Sequence, residues 1–350
     1  MEFEHTKKII VRGTNWIGDA VMSLPAISSL KKCFPHARID VAARRWSAPV
    51  YNYSPHTDNV LEIEKTSGIN CLGTLIKVSK KIREIGYDLA VAFPNSFESA
   101  LLFKLAGVRE VVGYNTDFRS VILTKAVDVP RDKKEKHEVF YYLNLIEKTF
   151  AHRCEGLGGK PKIGFSIPGT DLEKAERKLK DFGWKGARPL IGINPGAAYG
   201  PAKCWPSQKY KELSEKLVRV FPRGKIIVFG TDKERKTGEQ ICKSLGRQGI
   251  NLCGQTSLSE AICIISLLDL MVTNDSGLMH VAAACDIALV ALFGSTNPVT
   301  TGPFSEKAAV IHHALACSPC LSRQCKRDFI CMQGITVKEV FEACQKTIQC

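Results

Sequence analysis

Several short stretches carry side chains that could do chemistry. Asn274-Asp275-Ser276-Gly277, with His280 close behind, places a carboxylate and a hydroxyl directly ahead of the apolar run Leu278–Cys285. This is turn and N-cap chemistry. A helix N-terminus offers unpaired N–H donors and the positive end of the helix dipole, which suits phosphate. The second stretch, NPGAAYGPAKCWP (Asn194 to Pro206), is rich in glycine and proline and holds a single basic residue, Lys203. Its small residues would let a ligand reach the backbone, and the lysine would bring a mobile positive charge suited to phosphate. The third, GTNWIGD, ends on Asp19. That aspartate reads either as a helix cap, the plainer choice, or as a carboxylate facing a cleft. Asn95 and Ser96 follow the run LAVAF as candidate ligand contacts, although Ser96 is equally explained as a cap.

The elements that must hold these residues are short apolar runs alternating with helical patterns. Lys7–Arg12, Arg38–Ala42, Val60–Ile63, Leu89–Phe93 and Val111–Tyr114 read as strands of a first half. Pro189–Ile193, Lys225–Phe229, Asn251–Cys253, Leu268–Thr273 and Ala288–Phe293 repeat the plan, with Asp232 and Glu234 just beyond the second of these. A helix is expected over Ala20–Cys33, with Gly13–Asp19 as a loop before it. Alternation of this kind gives an α/β fold with parallel sheets. Gly13 and Gly18 have the spacing of a P-loop, but Asp19-Ala20 stands where lysine and serine or threonine should be. No G-x-G-x-x-G follows the first strand, which argues against a dinucleotide fold. Polar and glycine-bearing loops at strand ends predict two doubly wound domains facing each other across a cleft. The junction is expected within or soon after the Gly-, Pro- and Lys-rich stretch Gly156–Gly169.

Composition bounds the partners. The 350 residues suit two α/β domains. Forty-nine basic against 35 acidic residues give a net charge of +14, which points to nucleic acid, an anionic membrane face or a phosphorylated substrate. The basic residues are scattered and no nucleic-acid-binding signature appears, so nucleic acid is not expected. No run of about 18 apolar residues is present and the N-terminus lacks a signal-peptide core. A cytoplasmic protein is expected, with its 14 cysteines mostly reduced.

Residues 190–206, 271–283 and 292–296 resemble the nucleotide-sugar half of the lipopolysaccharide heptosyltransferases, glycosyltransferase family 9, which have the GT-B fold. NPGAAYGPAKCWP follows the pattern of the family's second inner-core enzyme better than the first, except that Cys204 stands where a basic residue is usual. TNDSGLMHVAAA is similar to the family's other signature, and Gly13–Asp19 and Pro94–Phe97 also resemble it. The resemblance spans nearly the whole chain. It implies an acceptor domain over residues 1–168 and a nucleotide-sugar domain over 169–335, both Rossmann-like, with a terminal helix over about 336–350 packing back on the first. It implies ADP-L-glycero-D-manno-heptose as donor and the heptose on the Kdo–lipid A inner core as acceptor, joined by an inverting displacement.

Asp19 matches the family's catalytic aspartate. At the ordinary carboxylate pKa of about 3.9 it would be ionised, as a base must be. The resemblance gives the donor diphosphate to Lys203, the Ser276 and Gly277 backbone and His280, and the sugar hydroxyls to Asp275. The ribose falls to Asp232 or Glu234, and the acceptor side to Asn15, Trp16, Asn95 and Ser96. No cofactor is required. The positive charge fits a phosphorylated lipid acceptor and peripheral contact with the anionic cytoplasmic face of the inner membrane. Cys317-x2-Cys320-x4-Cys325-x5-Cys331 could hold zinc or an iron–sulfur cluster, but its spacing is not that of paired C-x-x-C knuckles. Reduced thiols or a disulfide are the simpler expectation. The competing readings are a GT-B enzyme of another kind, such as a UDP-sugar epimerase, and a cysteine-cluster metalloprotein that binds nucleic acid.

Overall fold

The computed structural model describes residues 3–64, 70–153 and 160–348. The chain divides into two units, Met1–Ser166 and Ile167–Cys350. The expected junction stretch lies partly outside the described residues.

In the first unit, β1 (Lys8–Arg12), β2 (Arg38–Arg44), β3 (Asn59–Ile63), β4 (Leu89–Ala92), β5 (Glu110–Tyr114) and β6 (Lys125–Val127) form one sheet. Its order is β3-β2-β1-β4-β5-β6, with every pair parallel. The central runs are apolar because helices cover both faces. Ile9, Ile10, Val11 and Leu89 through Ala92 are fully buried, and each large aliphatic among them contributes about 1.5–3 kcal/mol relative to exposure.

The second unit repeats the winding with β7 (Leu190–Asn194), β8 (Lys225–Val228), β9 (Gly249–Asn251), β10 (Leu270–Asn274), β11 (Ala288–Phe293) and β12 (Ala308–His312). The order here is β12-β11-β10-β7-β8-β9, again all parallel. Each sheet therefore reverses direction once, between β1 and β4 and between β7 and β10. The carboxyl ends of strands at such a switch point diverge and leave a crevice for ligand.

Four differences from the sequence reading have physical reasons. The edge strands β6 and β12 were not expected: β6 has three residues, and β12 is only half-buried, so neither stands out as a long apolar run. Strand β9 ends at Asn251 rather than starting there. The first long helix spans Ile17–Cys33, so Gly18 and Asp19 sit in its first turn instead of the preceding loop. A carboxylate is favoured in that turn by the helix dipole. Finally, the terminal helix Val337–Thr347, which the resemblance put over the first domain, packs against β10, β11, β12 and the Ser207–Val220 helix. Its Val340 and Cys344 are buried in the second unit's own core.

Among the described residues, no helix is long and apolar enough to cross a membrane.

Candidate active site

The second unit gathers its candidate residues at the β7/β10 switch point. β7 ends on Asn194 and β10 on Asn274, and both side chains are buried. Asn194 donates to Thr273 Oγ1 (3.0 Å) and Ser276 Oγ (2.8 Å). Asn274 donates to the Pro195 carbonyl (2.7 Å) and accepts from the Trp205 amide (3.0 Å) and the Tyr210 hydroxyl (2.8 Å). Burial pushes the Tyr210 phenol well above its ordinary range, so it remains a donor. The two asparagines thus stitch the glycine-rich loop to the turn before the Gly277–Ala284 helix. Trp205 anchors the far end of that loop, edge-on to Tyr210 and donating from its indole to the Ile335 carbonyl at 3.0 Å.

Ser276 is the N-cap of the Gly277–Ala284 helix, and its side chain accepts from the Met279 amide. Lys203 reaches across to Asp275, with Nζ 2.5 Å from Oδ2, and both side chains are largely buried. Thr296, after β11, donates to the same carboxylate oxygen at 2.5 Å. The structure therefore brings Lys203, Asp275, Ser276 and Gly277 together as the sequence suggested, and adds Thr296. The lysine is not a solvated surface charge: it is ion-paired with the neighbouring motif. His280 lies one turn into the helix and is buried.

The ribose candidates separate clearly. Asp232 is exposed and pairs with Arg235 at 2.7 Å. Glu234 closes a capping box with Thr231, and its side-chain stem lies against Gly196 of the glycine-rich loop, 2.9 Å from where a Cβ would stand. Glu234 is thus the one beside the loop that carries Lys203.

The first unit makes a second polar edge at the β1/β4 switch point. Gly13 leaves β1 face to face with the Tyr51 ring, where a Cβ would come within 2.6 Å. The Tyr51 hydroxyl accepts from the Thr14 amide at 2.9 Å, which fixes the turn ahead of Asp19. Trp16 is the N-cap, makes no side-chain capping bond and is exposed. Asp19, half-buried, acts on the phenol of Tyr142 from the neighbouring Glu138–Phe150 helix: burial and then the Asp19 carboxylate push that phenol well above its ordinary range. Asn95 Oδ1 accepts from the Tyr141 hydroxyl at 2.8 Å. Ser96 occupies the N-cap of the Phe97–Leu105 helix but makes no side-chain cap bond. Arg119, fully buried, holds this loop through the Tyr114 carbonyl (2.8 Å), Ser99 Oγ (3.0 Å) and the Pro94 carbonyl.

Three residues at this edge were not singled out in the sequence. Arg12, the last residue of β1, donates to Asn15 Oδ1 at 2.8 Å. Burial, and then Arg44, lower its guanidinium to about 10, so it stays charged near neutrality. Arg44, at the end of β2, pairs with Glu98 at 3.3 Å. Both arginines line a small cavity with Asn15, Ser96 and Ser99. Trp46 is exposed and donates to the Asn15 carbonyl at 2.6 Å. The only sequence signal for Arg12 was a cation closing the apolar run KIIVR, and Arg44 had none.

Among the described residues, no three His, Cys, Asp or Glu side chains are arranged to hold a metal ion. Cys317, Cys320, Cys325 and Cys331 are free thiols. Cys325 Sγ accepts the backbone amides of Arg327 (3.3 Å) and Phe329 (3.2 Å).

Comparison with known proteins sets these edges in a family. The model of glycosyltransferase family 9 (heptosyltransferase) matches residues 75–330. Lipopolysaccharide heptosyltransferase 2 of Salmonella typhimurium is 34% identical over 310 residues, 87% of each chain. The lipooligosaccharide heptosyltransferase 2 of Haemophilus influenzae is also 34% identical, over 87% of this chain and 88% of that protein. The solved structure of Escherichia coli ADP-heptose LPS heptosyltransferase II superposes with a TM-score of 0.81 at 30% identity, covering 98% of both chains. A structure assigned to a UDP-N-acetylglucosamine 2-epimerase of Listeria monocytogenes, at 13% identity and a TM-score of 0.53 over 99% of this chain and 88% of that one, shares the fold alone.

Proposed function

The chain belongs to glycosyltransferase family 9, and from that premise we propose that it moves L-glycero-D-manno-heptose from ADP-heptose to the first heptose of a Kdo–lipid A inner core. It is a glycosyltransferase of GT-B fold. The observation that carries the finer reading is the joined donor edge. The loop bearing Lys203 and the turn bearing Asp275, Ser276 and Gly277 come from opposite sides of one switch point, in a chain whose relatives are heptosyltransferases of this type.

The chemistry follows from the groups present. Breaking the anomeric bond leaves negative charge on the ADP diphosphate. Lys203 and the Ser276 and Gly277 amides would offset that charge, as preorganised donors do in a site of low polarity. Asp275 repels phosphate and is suited instead to accepting hydrogen bonds from sugar hydroxyls. Glu234 is the better placed of the two ribose candidates. His280 remains a diphosphate or sugar contact in this reading, reached through the first turn of its helix.

Inversion requires a base for the acceptor hydroxyl proton on the face opposite the leaving group. Asp19 takes that role. As a weak base towards an alcohol, it would receive the proton late, once the sugar has become electrophilic. Asn15, Trp16, Asn95 and Ser96 would position the acceptor. Arg12 and Arg44 add guanidinium groups suited to its carboxylate or phosphate. The reaction so written uses no cofactor. The net charge of +14 supports work at the anionic cytoplasmic face of the inner membrane.

The test is transfer from ADP-heptose to a heptosylated, Kdo-containing acceptor by wild type, Asp19→Ala and Asp19→Asn. Both variants should lose roughly 10²–10⁴-fold in kcat, the range of a general base, with ADP-heptose affinity unchanged. Transfer that survives both substitutions would return Asp19 to a purely helix-terminal role. Binding of UDP-sugars in place of ADP-heptose would favour the epimerase-like alternative.

A further inference from the structure

We propose that Arg323, on the cysteine-bearing segment, is a second cation for the donor's diphosphate. The inference rests on the donor reading above and adds a residue to it.

The need for such a cation is electrostatic. Lys203, the basic residue of the glycine-rich loop, is already neutralised by Asp275 at 2.5 Å. Its partner carboxylate is held in place by Thr296. The ammonium and carboxylate together bring no net charge to a leaving group that gathers negative charge. A cation outside that pair would add net positive charge to what the Ser276 and Gly277 amides already offer the departing diphosphate.

Arg323 meets the loop that carries Lys203 at a shared aromatic ring. Tyr199, in the same loop as Lys203, has Lys203 Nζ 4.7 Å from its ring centroid and Arg323 Cζ 5.3 Å from it. Two cations therefore share one aromatic ring, each within cation–π range. Arg323 is exposed and, among the described residues, makes no salt bridge. Its planar fork of N–H donors can grip two phosphate oxygens in a fixed bidentate geometry, whereas a lysine binds as a point charge.

Backbone contacts fix where this side chain starts. The Tyr199 hydroxyl donates to the Leu321 carbonyl at 2.7 Å, and the Ala202 amide to the Arg323 carbonyl at 3.3 Å. The Leu321 amide donates to the Ser295 carbonyl at 2.7 Å, beside Thr296. Gly200, at φ +151°, sits so close to the Arg323 carbonyl that a Cβ would come within 2.5 Å of it. The main chain at Arg323 is thus locked against the loop while its exposed guanidinium lies over the Tyr199 ring. This also gives the cysteine segment a task that needs no metal: it is the arm that presents Arg323.

The experiment is calorimetric binding of ADP and of adenosine to wild type, Arg323→Gln and Arg323→Lys, with thermal melts of each. Arg323→Gln should weaken ADP by about ten-fold, the size of one charge-assisted hydrogen bond. It should leave adenosine binding and the melting temperature unchanged. Arg323→Lys should recover part of the loss, and added salt should weaken ADP binding to wild type more steeply than to Arg323→Gln. Equal ADP affinity in wild type and Arg323→Gln would overturn the assignment. So would a loss shared equally by ADP and adenosine together with a lower melting temperature, since that marks a structural role. A wild type that binds neither ADP nor adenosine would refute the donor reading itself, and Arg323 with it.

Discussion

Asp275→Asn should tighten ADP binding while it abolishes transfer. The substitution keeps the shape of the side chain and an oxygen to accept from Thr296, but removes one buried negative charge. Lys203 then has no counter-charge in the free protein. Leaving one member of a buried pair alone costs about 3 kcal/mol. For a unit of this size, that lowers the melting temperature by roughly 6–12 °C.

ADP reverses the deficit. Its diphosphate becomes the missing partner of Lys203 and no longer meets a carboxylate. Two charges about 5 Å apart at an effective dielectric near 20 repel by about 3 kcal/mol. Halving that for screening by solvent and salt leaves about 1.5 kcal/mol, or slightly more than ten-fold in affinity. Titration calorimetry and thermal melts with and without ADP would measure both effects. ADP should tighten about ten-fold and raise the variant's melting temperature by more than it raises that of wild type. ADP binding that weakens in Asp275→Asn would refute the reasoning, because it would mean that the carboxylate helps to hold the nucleotide.

Two further outcomes are expected. In the native protein at mildly alkaline pH, iodoacetamide should label exposed Cys320 first and leave Cys253 and Cys344 untouched until denaturation, because burial pushes both of those thiols to about 12. Peptide mass spectrometry reads this directly, and early labelling of Cys344 would contradict its burial. Burial lowers His56 and His312 below the ordinary 6.5, helped by Lys31 and Lys32 in one case and His313 in the other. Both are neutral in folded and unfolded chains above that value, whereas the unfolded chain takes up protons first as pH falls below it. Stability should therefore be level above pH 7 and decline below about 6.5. Melting curves of wild type and the double variant His56→Gln, His312→Gln should show a shallower decline in the variant, and identical slopes would remove the two histidines from the account.

The fold was readable wherever burial on both faces forced an apolar run. Leu289 and Val290 of β11 or Val91 of β4 have no polar alternative, so their strands stand out. β6 and β12 lie at sheet edges, where one side of the strand is unpaired and the pattern weakens. The turns at the β7/β10 edge were legible because Gly, Pro, Asn and Ser announce turns by their own conformational preferences. What those turns do to each other was not. Lys203 and Asp275 are far apart in the chain, and nothing local says that one neutralises the other. Arg323 stands in the cysteine segment three residues before Lys326-Arg327-Asp328, and nothing in that stretch names a partner; only the Tyr199 ring reveals its place. At the other edge, Arg12 looked like an ordinary strand end and Arg44 lay beyond the expected strand, because a β-strand's reach across its sheet is not written in its own sequence.

The arm that carries Arg323 touches the donor loop through main-chain atoms at Leu321 and Arg323. Contacts of that kind are indifferent to side-chain identity. Position 323 can therefore drift, between arginine, lysine or a neutral residue, without loosening the attachment, whereas Gly200 beneath it cannot. On the role proposed for Arg323, affinity for the leaving group can be tuned by single substitutions at little cost in folding, a separation of scaffold from adjustable part that selection or a designer can use.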